Sequence, residues 1–212
     1  EEGKIHVRTS AACIGQGMAT VTTQIACETL NLPPEMIVAE APDTRRTPNS
    51  GTTTASRQSL FTGEATRRAA MQLRYELDMG RALSDLEGEE FYGEYSAKTD
   101  PLINDKKSPV SHAGYGYAAE VAILDDKGKV AKFVAAYDMG QVVNPRAAEG
   151  QIEGGIAMGM GYALTEKFAL EEGYVKAKYA TLGLVNATQV PPIETILVHA
   201  DNLHEGLAYG IK

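Results

Sequence analysis

Three stretches of this chain gather glycines, hydroxyls and amides in patterns that suit a large anionic ligand. The first is Gly15-Gln16-Gly17 at the entry to a helix. Glycine lets a backbone approach a ligand closely, and the unbonded N–H groups of a first helical turn attract anions. Gln16 adds one donor and one acceptor for the edge of a ring. The second runs from Asn49 through Ser50, Gly51, Thr52, Thr53, Thr54, Ala55 and Ser56 into Arg57, Gln58 and Ser59. One hydroxyl suffices to cap a helix, so the surplus suits phosphate oxygens or a polar heterocycle. No Lys follows the glycine, so this is not the phosphate loop GxxxxGK[ST]. The third is Glu149 to Gly161, where Ile152, Ile156, Met160, Leu164 and Phe168 form an apolar stripe and Gly150, Gly154, Ala157 and Gly161 fall opposite. Each interior glycine costs about 1 kcal/mol relative to alanine, so something must press on that bare side. Each stretch also has a plain structural reading: a tight turn, a polar capping loop, and a helix packed on another backbone element.

Other chemistry is poorly supported. His199, Asp201, His204 and Glu205 lie close in sequence, but at no spacing that makes a helical metal pair; no metal ligands are assigned. Asp43, Asp100 and Asp138 lack an identifiable catalytic partner, and no GxSxG nucleophile elbow is present. Cys13 and Cys27 are too far apart for a CxxC motif and are expected as reduced thiols.

The elements that must position these stretches can be read from periodicity. Lys4 to Thr9 alternates like a strand. Met18, Val21, Ile25 and Cys27 to Leu30 recur at helical spacing and stop at Asn31, ahead of Pro33-Pro34. Met36 to Ala39 reads as a short buried strand, and Pro42 to Ser56 as a long loop. A helix then runs to about Met79, with Phe61, Ala65, Ala69, Leu73 and Leu77 on one face and Arg67, Arg68, Arg74 and Glu76 on others. Tyr115 to Leu124 and Val130 to Tyr137 form a hairpin around Gly128. Asn144-Pro145 opens a third helix, and Ile193 to Val198 is a strand. Helices and hairpins mix rather than alternate, which predicts an α+β fold with mixed or antiparallel sheets and long packed helices.

With 212 residues the chain is long enough for one core, or for two lobes with a soft boundary near the polar stretch 96–112. A net charge of −8 argues against nucleic acid, and the pairs Arg45-Arg46, Arg67-Arg68 and Lys106-Lys107 read as solvated surface. No apolar run nears the roughly 20 residues of a membrane helix, and Glu1-Glu2-Gly3-Lys4 is no signal peptide. A cytoplasmic protein without membrane contact is expected. The chain opens in a strand and stops at Tyr209-Gly210-Ile211-Lys212 in a glycine turn, so its ends look cut.

Taken in order, these segments resemble the molybdenum hydroxylases, the family of xanthine dehydrogenase and aldehyde oxidase. Gly15-Gln16-Gly17 looks like that family's GQG loop. Pro48-Asn49-Ser50-Gly51-Thr52-Thr53-Thr54-Ala55-Ser56 resembles its second pterin-binding loop. Asp138-Met139-Gly140, Asn144-Pro145 and Glu149-Gly150-Gln151-Ile152-Glu153-Gly154-Gly155 are similar to its DxG…NP…GQ-[IV]-EG signature, and Gly210-Ile211-Lys212 to the start of a closing GxKGxGE segment. The resemblance is collinear over essentially the whole chain and implies a molybdopterin-binding fold. It places Gly15, Gln16 and Gly17 on the dithiolene and molybdenum side of the cofactor. Thr53, Thr54, Ala55, Ser56, Gln58 and Ser59 would bind the pterin and its phosphate tail, and Gln151 would hydrogen-bond near the metal or pterin. Cys13 stands where an acidic residue is common, and Arg57-Gln58 where smaller residues are.

In that family a glutamate base and the molybdenum cofactor, held as a dinucleotide, oxidatively hydroxylate an N-heterocycle or an aldehyde. Electrons leave through iron–sulfur clusters and FAD in other domains or subunits. The glutamate is expected beyond Lys212, so no catalytic residue is assigned within this chain, which is expected to be an inactive piece of the parent enzyme. Its expected partners are the remaining parts of that enzyme, the small substrate and, as a homo-oligomer, other copies of itself. Two other readings stay open: a nonenzymatic molybdopterin-binding or storage module, and a nucleotide-binding or structural α+β domain.

Overall fold

A computed structural model describes residues 2–198 except Leu102 and Tyr179. The cluster His199, Asp201, His204 and Glu205 and the turn Gly210-Ile211-Lys212 lie outside the described residues. The chain forms two compact units. The first comprises residues 2–116 with Met139–Asn144, and the second Tyr117–Asp138 with Pro145–Val198. The polar stretch 96–112 lies inside the first unit, and the chain passes to the second at Tyr117.

In the first unit, strand β1 (Ile5–Val7) pairs in parallel with β2 (Ile37–Ala39), Ile5 opposite Ile37. The connection carries helix α1 (Met18–Leu30), as parallel pairing requires a crossover. Helix α1 stops where its spacing predicts, with Asn31 left-handed at φ 54°. There the N–H groups of Asn31 and Leu32 both bond the Cys27 carbonyl, satisfying an orphan acceptor of the last turn. Helix α2 (Gln58–Asp78) packs on α1. Ala26, Leu30, Ile37, Ala70, Leu73 and Leu86 make the shared core. Burying each of its leucines contributes about 2 kcal/mol.

The buried line of α2 differs from the four-residue stripe expected. It runs through Leu60, Gly63, Thr66, Ala70 and Leu73, while Phe61, Ala65, Ala69 and Leu77 are only partly covered. A 3.6-residue turn drifts away from a strict four-residue repeat, and at the start of α2 it is Leu60, not Phe61, that is buried. The stripe has its own cover in residues 91–95. Tyr95 meets the Phe61 ring at 5.4 Å, and Gln72 and Arg68 donate to the carbonyls of Tyr92 and Glu94. A Cβ on Gly93 would overlap the Ala65 carbonyl and lie 2.6 Å from the Ala69 nitrogen, so only glycine fits there.

In the second unit, β3 (Tyr117–Leu124) and β4 (Val130–Asp138) form the expected hairpin around Gly128. Strand β7 (Ile193–Leu197) joins β4 in parallel, making a mixed three-stranded sheet. A two-residue pair, β5 (Leu170–Glu171) and β6 (Tyr174–Val175), stands apart. Helix α3 (Pro145–Leu164) packs against β7. Of its predicted stripe, Ile152 and Ile156 are buried, Met160 is half-buried, and Leu164 and Phe168 are exposed. The glycine face differs more. A Cβ on Gly150, Gly154, Gly155 or Gly159 would meet nothing within 4 Å, so among the described residues no backbone element lies against it. Gly161 alone is crowded, by Glu166 and Val185.

Candidate functional site

The first two candidate stretches both sit at helix N-termini of the first unit. Gly17, left-handed at φ 77°, precedes α1 without any side-chain cap. Arg57 precedes α2, and none of the neighbouring hydroxyls caps it. The surplus hydroxyls therefore do not serve the helix, and the first-turn N–H groups keep their anion-attracting character.

The two loops are stitched together. Ser50 N–H donates to Ser10 Oγ at 2.7 Å, and the Ser10 hydroxyl reaches Ser50 Oγ at 2.9 Å. Thr53 Oγ1 donates to the Ala12 carbonyl at 3.1 Å and accepts from Gln58 Nε2 at 3.0 Å. Thr62 in turn donates to Gln58 Oε1. Gln58 is buried, while Thr54, Ala55 and Ser56 are exposed. The hydroxyls of Thr54, Ser56 and Ser59 make no hydrogen bond to another described residue. Ala55 and Ser56 are both left-handed, at φ 49° and 55°, in a turn closed by Arg57 N–H on the Thr54 carbonyl. Two successive non-glycine residues in that region cost roughly 1–2 kcal/mol each, strain of the kind stored at ligand sites.

In the GQG loop, the Gln16 amide folds back on its own segment. It accepts from Ile14 N–H and donates to the Ala12 carbonyl. Gly15 and Gly17 face open space. Cys13, exposed, has its thiol held below the ordinary range by the Gly15 N–H first and by those of Met18, Gly17 and Gln16. Burial, aided by the Glu35 charge, pushes Cys27 the other way. Gln151 lies exposed on the first turns of α3, in the second unit.

These groups fit a rigid anionic heterocycle. Two helix starts without side-chain caps offer N–H groups to an anion, glycines leave room for close approach, and hydroxyls with no hydrogen bond to another described residue stand at a strained turn. A cavity of about 640 Å³ lies elsewhere, between β1, α2 and residues 86–95. It touches Ser10, Ser50, Gly51 and Arg57 but none of residues 15–17 or 53–56, so the candidate surface is open and not this cavity. Asp43 and Asp100 hold their own loops through Arg45 and through Lys106 and the Val110 N–H. Among the described residues no group of three or more His, Cys, Asp or Glu could hold a metal, and no helix is long and apolar enough to cross a membrane.

Ser10 and Ala12 were not expected at the site, because nothing in the sequence signals that Ser10 meets Ser50 forty residues on. Arg57 carried a signal, as the one cation beside the hydroxyl loop.

Comparison with known proteins identifies the family and the fold. The molybdopterin cofactor-binding domain family matches residues 1–91 and 79–191. A putative xanthine dehydrogenase molybdenum-binding subunit of Escherichia coli is 29% identical over 81% of this chain and 27% of its own length. The aldehyde oxidoreductase of Megalodesulfovibrio gigas is 31% identical over 79% of this chain and 20% of its own. The solved aldehyde oxidoreductase from Desulfovibrio gigas superimposes with a TM-score of 0.81 at 27% identity, over 100% of this chain and 25% of that one. This chain thus spans about a quarter of the length of such relatives. Its α+β fold is that of their molybdenum-binding region, and the chain belongs to the molybdopterin cofactor-binding domain family of the molybdenum hydroxylases.

Proposed function

We propose that this chain forms the C-terminal part of the cofactor cradle in a molybdenum hydroxylase that oxidatively hydroxylates an N-heterocycle or an aldehyde. The observation that carries this reading is the joining of the two loops through Ser10–Ser50 and Thr53–Ala12, which gives one surface of glycine backbone and unpartnered hydroxyls between two uncapped helix starts. Gly15, Gln16 and Gly17 take the dithiolene and molybdenum side. Thr53, Thr54, Ala55, Ser56, Gln58 and Ser59 form the pterin side, the phosphate tail lying toward the N-terminus of α2, and Gln151 adds a hydrogen bond near the metal or pterin. Gln16 turns its amide outward for this, releasing Ile14 and Ala12.

When bound, the molybdenum cofactor supplies a Lewis acid and a two-electron acceptor. This chain's residues orient the pterin, fix its phosphates and exclude water from its edge. The base is the glutamate of the closing GxKGxGE segment. The cofactor is held as a dinucleotide, with iron–sulfur clusters and FAD carried by other domains or subunits in the cytoplasm.

The test is chemical. Protein purified from its own cells should release about one oxidised, fluorescent pterin and one molybdenum per chain, and should turn over aldehydes or N-heterocycles with an artificial acceptor. Ser56→Ala together with Thr54→Val should lower pterin content about tenfold, from the loss of two charge-assisted bonds. Active wild-type protein free of pterin and molybdenum would refute the proposal. Pterin without turnover on any such substrate would make the chain a storage module.

A further inference from the structure

Arg57 is the one cation in the hydroxyl-rich loop, yet it does not extend into solvent. Its Nη1 donates to two carbonyls of the loop behind it, Ser50 at 2.9 Å and Thr52 at 3.1 Å. Its guanidinium lies 4.4 Å over the Phe61 ring, one turn into α2. The seat is shaped for it: Gly51 is left-handed at φ 74°, and a Cβ there would come within 3.0 Å of Arg57 Nη1. Asn49 Oδ1 fixes the same bend by accepting from Gly51 N–H. Gln58 acts beside it, buried, its amide reaching Thr53 on one side and Thr62 on the other. Both side chains reach backward from α2 to the loop, Arg57 through Nη1 and Gln58 through its amide.

We infer that Arg57 and Gln58 are positioning residues that clamp residues 50–53 to the start of α2, so that Thr54, Ala55 and Ser56 are held in their strained turn before any ligand arrives. This rests on the cofactor reading above, and it adds to Gln58's place on the pterin side, and gives to Arg57, a role exerted through the loop. A loop that visits its competent shape only part of the time lowers apparent affinity by that fraction; the clamp removes this loss. Arg57 is suited to the task because in its planar fork Nη1 donates to two carbonyls at the edge while a face of the same plane stacks on Phe61.

The test compares Arg57→Ala, Arg57→Lys and Gly51→Ala with wild type in the cofactor-loaded protein, by amide hydrogen exchange over residues 49–59 and by the rate of pterin release on dilution. Gly51→Ala crowds the guanidinium without removing it and also strains the left-handed residue 51, and so loosens the same seat by a second route where Arg57→Ala folds poorly. Loss of two charge-assisted bonds should speed exchange in 49–56 by about tenfold or more, with release accelerated by a similar factor and exchange in α1 unchanged. Arg57→Lys should fall between, keeping the cation over Phe61 but losing the fork. Unchanged exchange in both Arg57→Ala and Gly51→Ala would overturn the clamp, and faster exchange with unaltered release would overturn its role toward the cofactor. A wild-type protein devoid of pterin contradicts the proposed function itself, and that is read before any substitution is made.

Discussion

Glu64 is fully buried on α2, and its carboxylate is shared by Arg67 and Arg68 at 2.8 and 2.9 Å. Burial pushes this carboxyl up, but the two guanidiniums outweigh it and leave it below the usual glutamate range. A lowered native pKa means that the unfolded chain binds the extra proton first. The group's stabilisation is therefore complete above the unfolded value near pH 4.3 and is lost as pH falls through the native value. Glu64→Gln should cost about 3 kcal/mol at neutral pH and flatten the acid limb of a urea-melt series; an unchanged acid limb would count against this. The sequence reading placed Arg67 and Arg68 on solvated surface; Arg68 is exposed and Arg67 half-buried, and what the sequence did not show is the buried carboxylate they share, because a glutamate three and four residues before two arginines looks the same exposed or buried. Cys13 gives a second residue-scale prediction. Its exposed thiol with a lowered pKa should react with iodoacetamide well before Cys27, measured by peptide mass at neutral pH. Pterin loading should slow that reaction, and equal rates at the two thiols would contradict the activation of Cys13 by the loop N–H groups.

The helices were legible in the sequence because local signals define them. Asn31 closes α1 and Pro145 opens α3 where the pattern puts them. The hairpin at Gly128 was legible for the same reason. The parallel pairing of β7 with β4 was not, since Phe133 and Ile193 meet without any local turn to set their register. The glycine face of α3 was legible as an anomaly but not as an open surface. Its glycines weaken the helix, and among the described residues nothing lies opposite Gly150, Gly154, Gly155 or Gly159 to compensate. If that face is kept bare for the cofactor near Gln151, Gly154→Ala and Gly155→Ala should each raise the stability of unloaded protein by about 1 kcal/mol in thermal melts. The same substitutions should reduce pterin retention. A loss of stability would show instead that these positions need glycine for the fold.

At the scale of the molecule, the order of motifs carried more than any single one. A GQG turn, a threonine-rich loop and a glycine-studded helix each have ordinary structural uses, and only their succession identified the family. The structure adds that the first two are bonded to each other, and it supplies the partners, Ser10, Ala12 and Arg57, that hold them. The most direct measurement is anomalous scattering at the molybdenum edge from crystals of the active, cofactor-loaded protein. A single molybdenum peak beside Gly15–Gly17, with pterin density running to Thr54, Ser56 and Ser59, is the expected result. A peak in the cleft between β1 and residues 86–95, or pterin density that avoids the Thr54–Ser56 turn, would contradict it.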